Sequence, residues 1–285
     1  MKKTDFLLRL KLQKGIGYVK MLQIAGQLDT EDVDVLAIKE MDLPSALKEA
    51  SLTAFFDQKS EKMLYRIKKQ CKVLSFFDDL YPEKLRQIYQ PPLILFARGD
   101  LTLLQRKIIT IVGSRMASSY SRTVIDNLVP TLIKKDLVIA SGLAKGVDGM
   151  AHAATLKNNG KTIAVVGNGL NHFYPMSNHS IQEKIVENGL LLSEYLPDTP
   201  PRPFRFPERN RILAGLSESV VVTEAKERSG SLITANLALQ ENRNVYAVPG
   251  PITSQLSAGP NKLIEAGADP IINFNLKPER FDNSN

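Results

Sequence analysis

The 285-residue chain has a single cysteine, Cys71, and three histidines, His152, His172 and His179. One thiol excludes an internal disulfide framework and fits a reducing compartment, so a cytoplasmic location is expected. The histidines and the cysteine show no metal-ligand spacing, which argues against a His/Cys metal centre. No run of about 18 apolar residues occurs, so no membrane-spanning helix is expected. The amino-terminal MKKTDFLLRLKL turns from basic to apolar. Arg9 and Lys11 interrupt the apolar part and no small-residue cleavage site follows, which argues against a secretion signal. The G-x-G-x-x-G fingerprint of dinucleotide sites is missing, as are internal repeats and low-complexity segments. What remains is an ordinary globular composition, 43% apolar and 24% charged, with a formal charge of +7. That charge favours an anionic partner without separating nucleic acid from a nucleotide.

The length suggests two domains. Residues 1–72 read as all-helical, with an apolar face at Phe6, Leu7, Leu10, Leu12 and Ile16 and a turn at Gly15-Ile16-Gly17-Tyr18. Asp42-Leu43-Pro44-Ser45 marks another helix start. Lys59, Lys62, Arg66, Lys68, Lys69 and Lys72 belong to a basic amphipathic helix. The Gly-Ile-Gly turn could offer N–H groups to a nucleic-acid backbone, but no second basic feature stands beside it, so packing is the favoured reading. Residues 73–104 bridge to a region of different period. There, apolar runs at Ile108–Val112, 137–140, Thr162–Val166, Leu190–Ser193, 220–223, 245–248 and 270–273 alternate with helical stretches at 121–135, 149–158, 180–188, 232–242 and 261–266. This alternation predicts an α/β fold over 73–276 with a mostly parallel sheet and flanking helices. In such sheets ligands bind at the carboxyl ends of the strands. Residues 277–285 read as a frayed polar tail.

The expected strand ends carry the chemistry. Gly113, Ser114 and Arg115 follow the first run: the glycine permits close approach and the arginine suits a bidentate phosphate grip. Lys145 lies in the turn after the second. Phe173 and Tyr174 follow the third, one to stack on a base and one to pack inward. Arg202, Arg205, Arg209 and Arg211 interleave with Phe204 and Phe206, opposed only by Glu208. Ser229-Gly230-Ser231 opens a helix whose free N–H groups would point outward at the positive end of the helix dipole. Together these turns predict a basic groove with aromatic platforms, suited to single-stranded nucleic acid. Asp148 and His152, four apart on one helix face, could form an acid–base pair. The favoured alternative is a helix cap and a packing histidine, because no nucleophile lies at readable spacing. Glu224 and Arg228 keep open a second reading, an enzyme hydrolysing a small nucleotide. A third is a pure interaction module, which the basic cluster opposes.

The motifs also resemble those of a known family. Val112-Gly113-Ser114-Arg115 with Ser119-Tyr120-Ser121, SGLAKGVDGMAH (141–152), GNGLNHFYP (167–175), SEY (193–195), FPERNRILAGLS (206–217), EAKERSGSLITA (224–235), AVPG (247–250) and NKLIEAGA (261–268) are similar, in order, to the motifs of the DNA-processing protein A family, DprA or Smf. The similarity covers about residues 77–268. It implies an extended Rossmann-like fold preceded by a small SAM-like helical domain, and a role in bacterial natural transformation. Such proteins bind and protect incoming single-stranded DNA and load RecA, alongside single-strand-binding protein, as homodimers without catalysis or cofactor. The family's DNA-binding arginine falls on Arg115, and its basic-aromatic stretch on Arg202 to Arg211. The dimer contact is expected in the carboxyl-terminal part, with the apolar segment 256–272 as candidate. Three departures stand out: Asn171 replaces a usual Asp, Gly259-Pro260-Asn261 replaces Gly-Thr-Asn, and no winged-helix domain is expected after the sheet.

Overall fold

The computed structural model describes residues 1–30, 32–274 and 276. The expected tail, 277–285, lies outside the described residues. Five helices open the chain: α1 (Lys3–Leu12), α2 (Tyr18–Ala25), α3 (Val35–Glu40), α4 (Ser45–Phe56) and α5 (Gln58–Gln70). The Gly15-Ile16-Gly17 turn separates α1 from α2, and Asp57 caps α5 by accepting from the Lys59 and Ser60 N–H groups. Next come β1 (Lys72–Ser75), the short α6 (Glu83–Arg86) and β2 (Ile94–Gly99). The βα alternation then runs β3 (Ile108–Val112), α7 (Ser119–Lys134), β4 (Val138–Ser141), α8 (Val147–Lys157), β5 (Thr162–Val166), α9 (His179–Asn188) and β6 (Leu190–Ser193). It continues with α10 (Arg205–Leu216), β7 (Ser219–Val222), α11 (Gly230–Gln240), β8 (Asn244–Ala247), α12 (Ala258–Glu265) and β9 (Asp269–Pro270). The last apolar run, expected at 270–273, pairs one residue earlier and for two residues only.

The strands form one sheet in the order β1-β2-β6-β5-β4-β3-β7-β8-β9. From β6 to β9 all pairs are parallel, while β1 and β2 pair antiparallel at one edge. Strands β3 to β7 are buried throughout, as a sheet covered on both faces requires. Alternate residues serve the two faces. Ile109 and Ile111 pack with α7 and α8, whereas Ile108 and Val112 face the side of α10 and α11. The chain winds outward from β3 to β6 in one direction and from β7 to β9 in the other. The switch therefore falls between β3 and β7, where an open α/β sheet leaves a crevice at its strand ends.

The expected division after residue 72 falls just past the first residue of β1. Apolar packing does not stop there: Phe6, Leu7, Leu10, Ile24 and Ile67 of the helices share one cluster with Ile94, Phe96, Ala164 and Leu191 of the sheet. Phe96→Ala, which empties the fully buried ring at this junction, is expected to cost about 3–5 kcal/mol. Urea unfolding should show a lower midpoint, with helical and sheet signals lost in the same transition.

Candidate nucleic-acid interface

The basic-aromatic stretch runs into helix α10, Arg205–Leu216. Pro207 falls in the first turn, where a missing N–H costs nothing. Ile212, Leu213 and Leu216 then form its buried stripe. Arg209 stands three and four residues before Ile212 and Leu213, on the same face. The helix therefore carries its guanidinium inward, where it donates to Gly142 O at 2.9 Å and to Val165 O. A Cβ at Gly142 would collide with that guanidinium. Asp148, also buried, accepts from the Gly142 N–H at 3.1 Å and the Ala144 N–H at 3.3 Å. Burial pushes the Asp148 carboxyl up and Arg209 down to about 10, each opposed by the other's charge.

The loops this pair braces meet at the crevice. Gly146 has φ +74°, and a Cβ there would strike the Ser114 carbonyl and Arg115, so the β4–α8 turn lies flat against the β3–α7 turn. The Val147 N–H donates to Ser114 O at 3.1 Å. Arg115 projects from this junction. Its guanidinium lies 5.8 Å from the centre of the Phe206 ring, and Phe206 in turn stacks on Tyr174 at 5.2 Å and 29°. Arg115, Lys145, Tyr174 and Phe206 line one narrow recess. Beside it, a cavity of about 460 Å³ runs between Gly113, Ser114 and Arg115 on one wall and Ser229, Gly230 and Ser231 on the other. Exposed Arg115, Lys145, Lys226 and Arg228 ring these openings. Lys226 and Arg228 escaped the groove assigned from sequence, although they lie in the turn before α11.

Other expected members lie elsewhere. Phe173 packs on His179 at 3.9 Å, leaving Tyr174 as the outward ring. Arg211 makes a two-pronged ion pair with Glu194, 2.8 Å to each oxygen. Arg205 donates to Pro200 O and lies 5.1 Å from the Tyr195 ring and 5.4 Å from the Phe204 ring. Arg202 and Phe204 are exposed, outside the lining of the crevice. Ser229 caps α11 by accepting the Ser231 N–H at 3.1 Å, so that N–H turns back into the cap instead of facing outward.

The groups that suggested catalysis hold the scaffold. The Glu224 carboxylate accepts from Ser118 N at 2.8 Å, Ser118 Oγ at 2.6 Å and Ser121 Oγ at 2.8 Å, which fixes the start of α7. His152 is fully buried, with Nδ1 2.7 Å from Thr162 Oγ1. The Thr162 hydroxyl donates to Ile139 O, so it accepts here and His152 carries its proton on Nδ1. Burial, helped by the charge of Arg209, holds the ring neutral with its pKa lowered from 6.5 to about 3.

The model of the DNA recombination-mediator protein A family matches residues 72–280. The chain belongs to this family. It is 40% identical over 268 residues to DNA processing protein DprA of Streptococcus pneumoniae, covering 94% of this chain and 95% of that one. It is 46% identical to DprA of Bacillus subtilis over 205 residues, 70% of this chain and 69% of the other. The crystal structure of the S. pneumoniae protein superposes with a TM-score of 0.84 at 38% identity, over 95% of both chains. DNA processing protein A of Helicobacter pylori, whose structure describes a single-stranded DNA binding mode, superposes with a TM-score of 0.66 at 33% identity, over 72% of this chain and 92% of that one.

His152 gives a testable pH dependence. The unfolded imidazole binds a proton below about 6.5 and the folded one does not, so this contribution is complete above that pH and declines as pH falls. The loss should be about 1.4 kcal/mol per pH unit. In His152→Asn, whose amide can still donate to Thr162, the stability measured by urea unfolding should fall less steeply between about pH 6 and pH 4.

Proposed function

We propose that the protein binds single-stranded DNA in the crevice between the β3 and β7 turns. The observation that carries this reading is the Arg115–Phe206–Tyr174 stack at the crevice mouth. It sets a phosphate-gripping cation beside a stacked ring pair whose exposed member, Tyr174, can take a base without sequence readout. The exposed cations around it supply attraction for a polyanion. The binding described for the H. pylori relative supports the same assignment. In this reading the role is that of a non-catalytic mediator of natural transformation in the cytoplasm. It protects the incoming strand and loads RecA beside single-strand-binding protein, working as a homodimer through the carboxyl-terminal part. Family membership supports the role, and the engagement of Glu224 removes the acid that a nucleotide-hydrolysing enzyme would draw from this turn.

Fluorescence anisotropy of a labelled oligo-dT across a salt series tests the site. About four phosphates facing Arg115, Lys145, Lys226 and Arg228 give an expected log–log salt slope of about −3. Arg115→Glu should abolish binding at moderate salt. Phe206→Ala should weaken it by about 1–3 kcal/mol with the slope unchanged, since stacking is not ionic. Tight native binding with a flat salt response would overturn the assignment.

A further inference from the structure

Helix α5 presents a basic face that the crevice does not use. Lys59, Lys62, Arg66 and Lys69 repeat at three- and four-residue spacing, with Lys72 just beyond, and all five are exposed. Tyr65 stands on the same face, 63% exposed, with the Lys69 ammonium 4.5 Å from its ring centre. The acidic groups on and beside the helix are engaged: Asp57 caps its start, Glu61 pairs with Arg9 at 3.6 Å, and Asp5 pairs with Lys68. The opposite face, with Ser60 and Ile67, is buried against the other helices. At the carboxyl end of α5 the basic face opens into a cavity of about 670 Å³ lined by Lys2, Lys68, Lys69, Lys72 and Arg98. Asp5 and Asp78 also line it, but Asp5 is paired with Lys68, and the Asp78 carboxylate is held by the Thr4 hydroxyl at 2.9 Å and the Ser75 N–H at 2.6 Å.

This surface is joined to the crevice through one loop. Gln70, the last residue of α5, accepts from Asn171 Nδ2 at 3.1 Å, and Arg98 bridges Gln70 O at 3.1 Å and Leu170 O at 2.9 Å. Leu170 and Asn171 belong to the 167–175 turn that carries Tyr174. We propose that the α5 face and its cavity form a second phosphodiester-binding surface, which holds single-stranded DNA extending beyond the crevice. This rests on the reading of the crevice as a single-strand site. Cations recurring once per turn, about every 5.4 Å along the axis, suit a repeating polyanion. Tyr65 adds a ring face for a base. A membrane surface fits less well, because an interfacial helix needs an apolar face turned outward and that of α5 is turned into the bundle.

The experiment compares oligo-dT of about 8 nucleotides, near the lower end of a single-strand site, with one of about 40. The proteins are the native chain, Lys62→Ala/Arg66→Ala/Lys69→Ala, and a control of equal charge, Lys134→Ala/Lys157→Ala/Lys184→Ala. The α5 variant should bind the short strand as the native chain does. For the long strand it should lose about tenfold or more in affinity, and its salt slope should be shallower by about 2. The control should keep both. Unchanged long-strand binding in the α5 variant, or an equal loss in the control, overturns the proposal. So does loss of vesicle binding (phosphatidylserine and phosphatidylcholine) with long-strand binding intact, which would mark a membrane surface. Failure of the native chain to bind the short strand, or indifference of that binding to Arg115→Glu, would instead overturn the crevice reading.

Discussion

The guanidinium of Arg209 is buried, and its bonds to Gly142 O and Val165 O sit where β4 and β5 leave the sheet. Burying a carbonyl without a donor is costly. A buried cation is costly too unless it is bonded and counter-charged. Asp148 supplies the opposing charge, and it is held in turn by the Gly142 and Ala144 N–H groups. One arrangement thereby satisfies two strand ends, a turn and the entry of α10. That entry places Phe206, one turn before Arg209, between Arg115 and Tyr174. The geometry of the exposed stack depends on the buried pair beneath it.

Helix phase explains why four arginines close in sequence have different fates. Residues 209, 212, 213 and 216 share the apolar stripe of α10, so Arg209 goes inward with them. Arg211 lies off that stripe and reaches Glu194. Arg205 and Arg202 sit at and before the helix start, among Phe204 and Tyr195. Composition alone groups them as one basic patch. The cation facing the crevice comes instead from the β3 turn, at Arg115.

The same distinction marks what could be read before the fold was known. Buried β-branched runs and the glycine-bearing turns after them gave the sheet, its parallel sense and the crevice edge, because period and turn chemistry are local signals. Arg115, Lys145 and Ser229 to Ser231 were legible for that reason. The inward turn of Arg209 was not, since the dense charge of segment 204–216 masks its Ile212-Leu213-Leu216 stripe. The choice of Tyr174 over Phe173 as the outward ring needed His179 in place behind Phe173, a contact that spacing does not reveal. Lys226 and Arg228 join the crevice because β7 lies beside β3, and that adjacency follows from topology, not from sequence separation.

A Rossmann-type crevice can host chemistry or simple binding, and the fold does not choose between them. Here the titratable groups that first suggested chemistry have structural duties. Glu224 anchors the start of α7 through three donors, and His152 is neutral and bonded to Thr162. Asp148 is enclosed with Arg209. The described side chains left facing solvent at the strand ends include Arg115, Lys145, Lys226, Arg228 and the Tyr174 ring. Guanidinium, ammonium and aromatic groups suit a charged, stackable polymer. The proposed single-strand reading rests on that division between buried ionisable groups that brace the turns and exposed cations that line them.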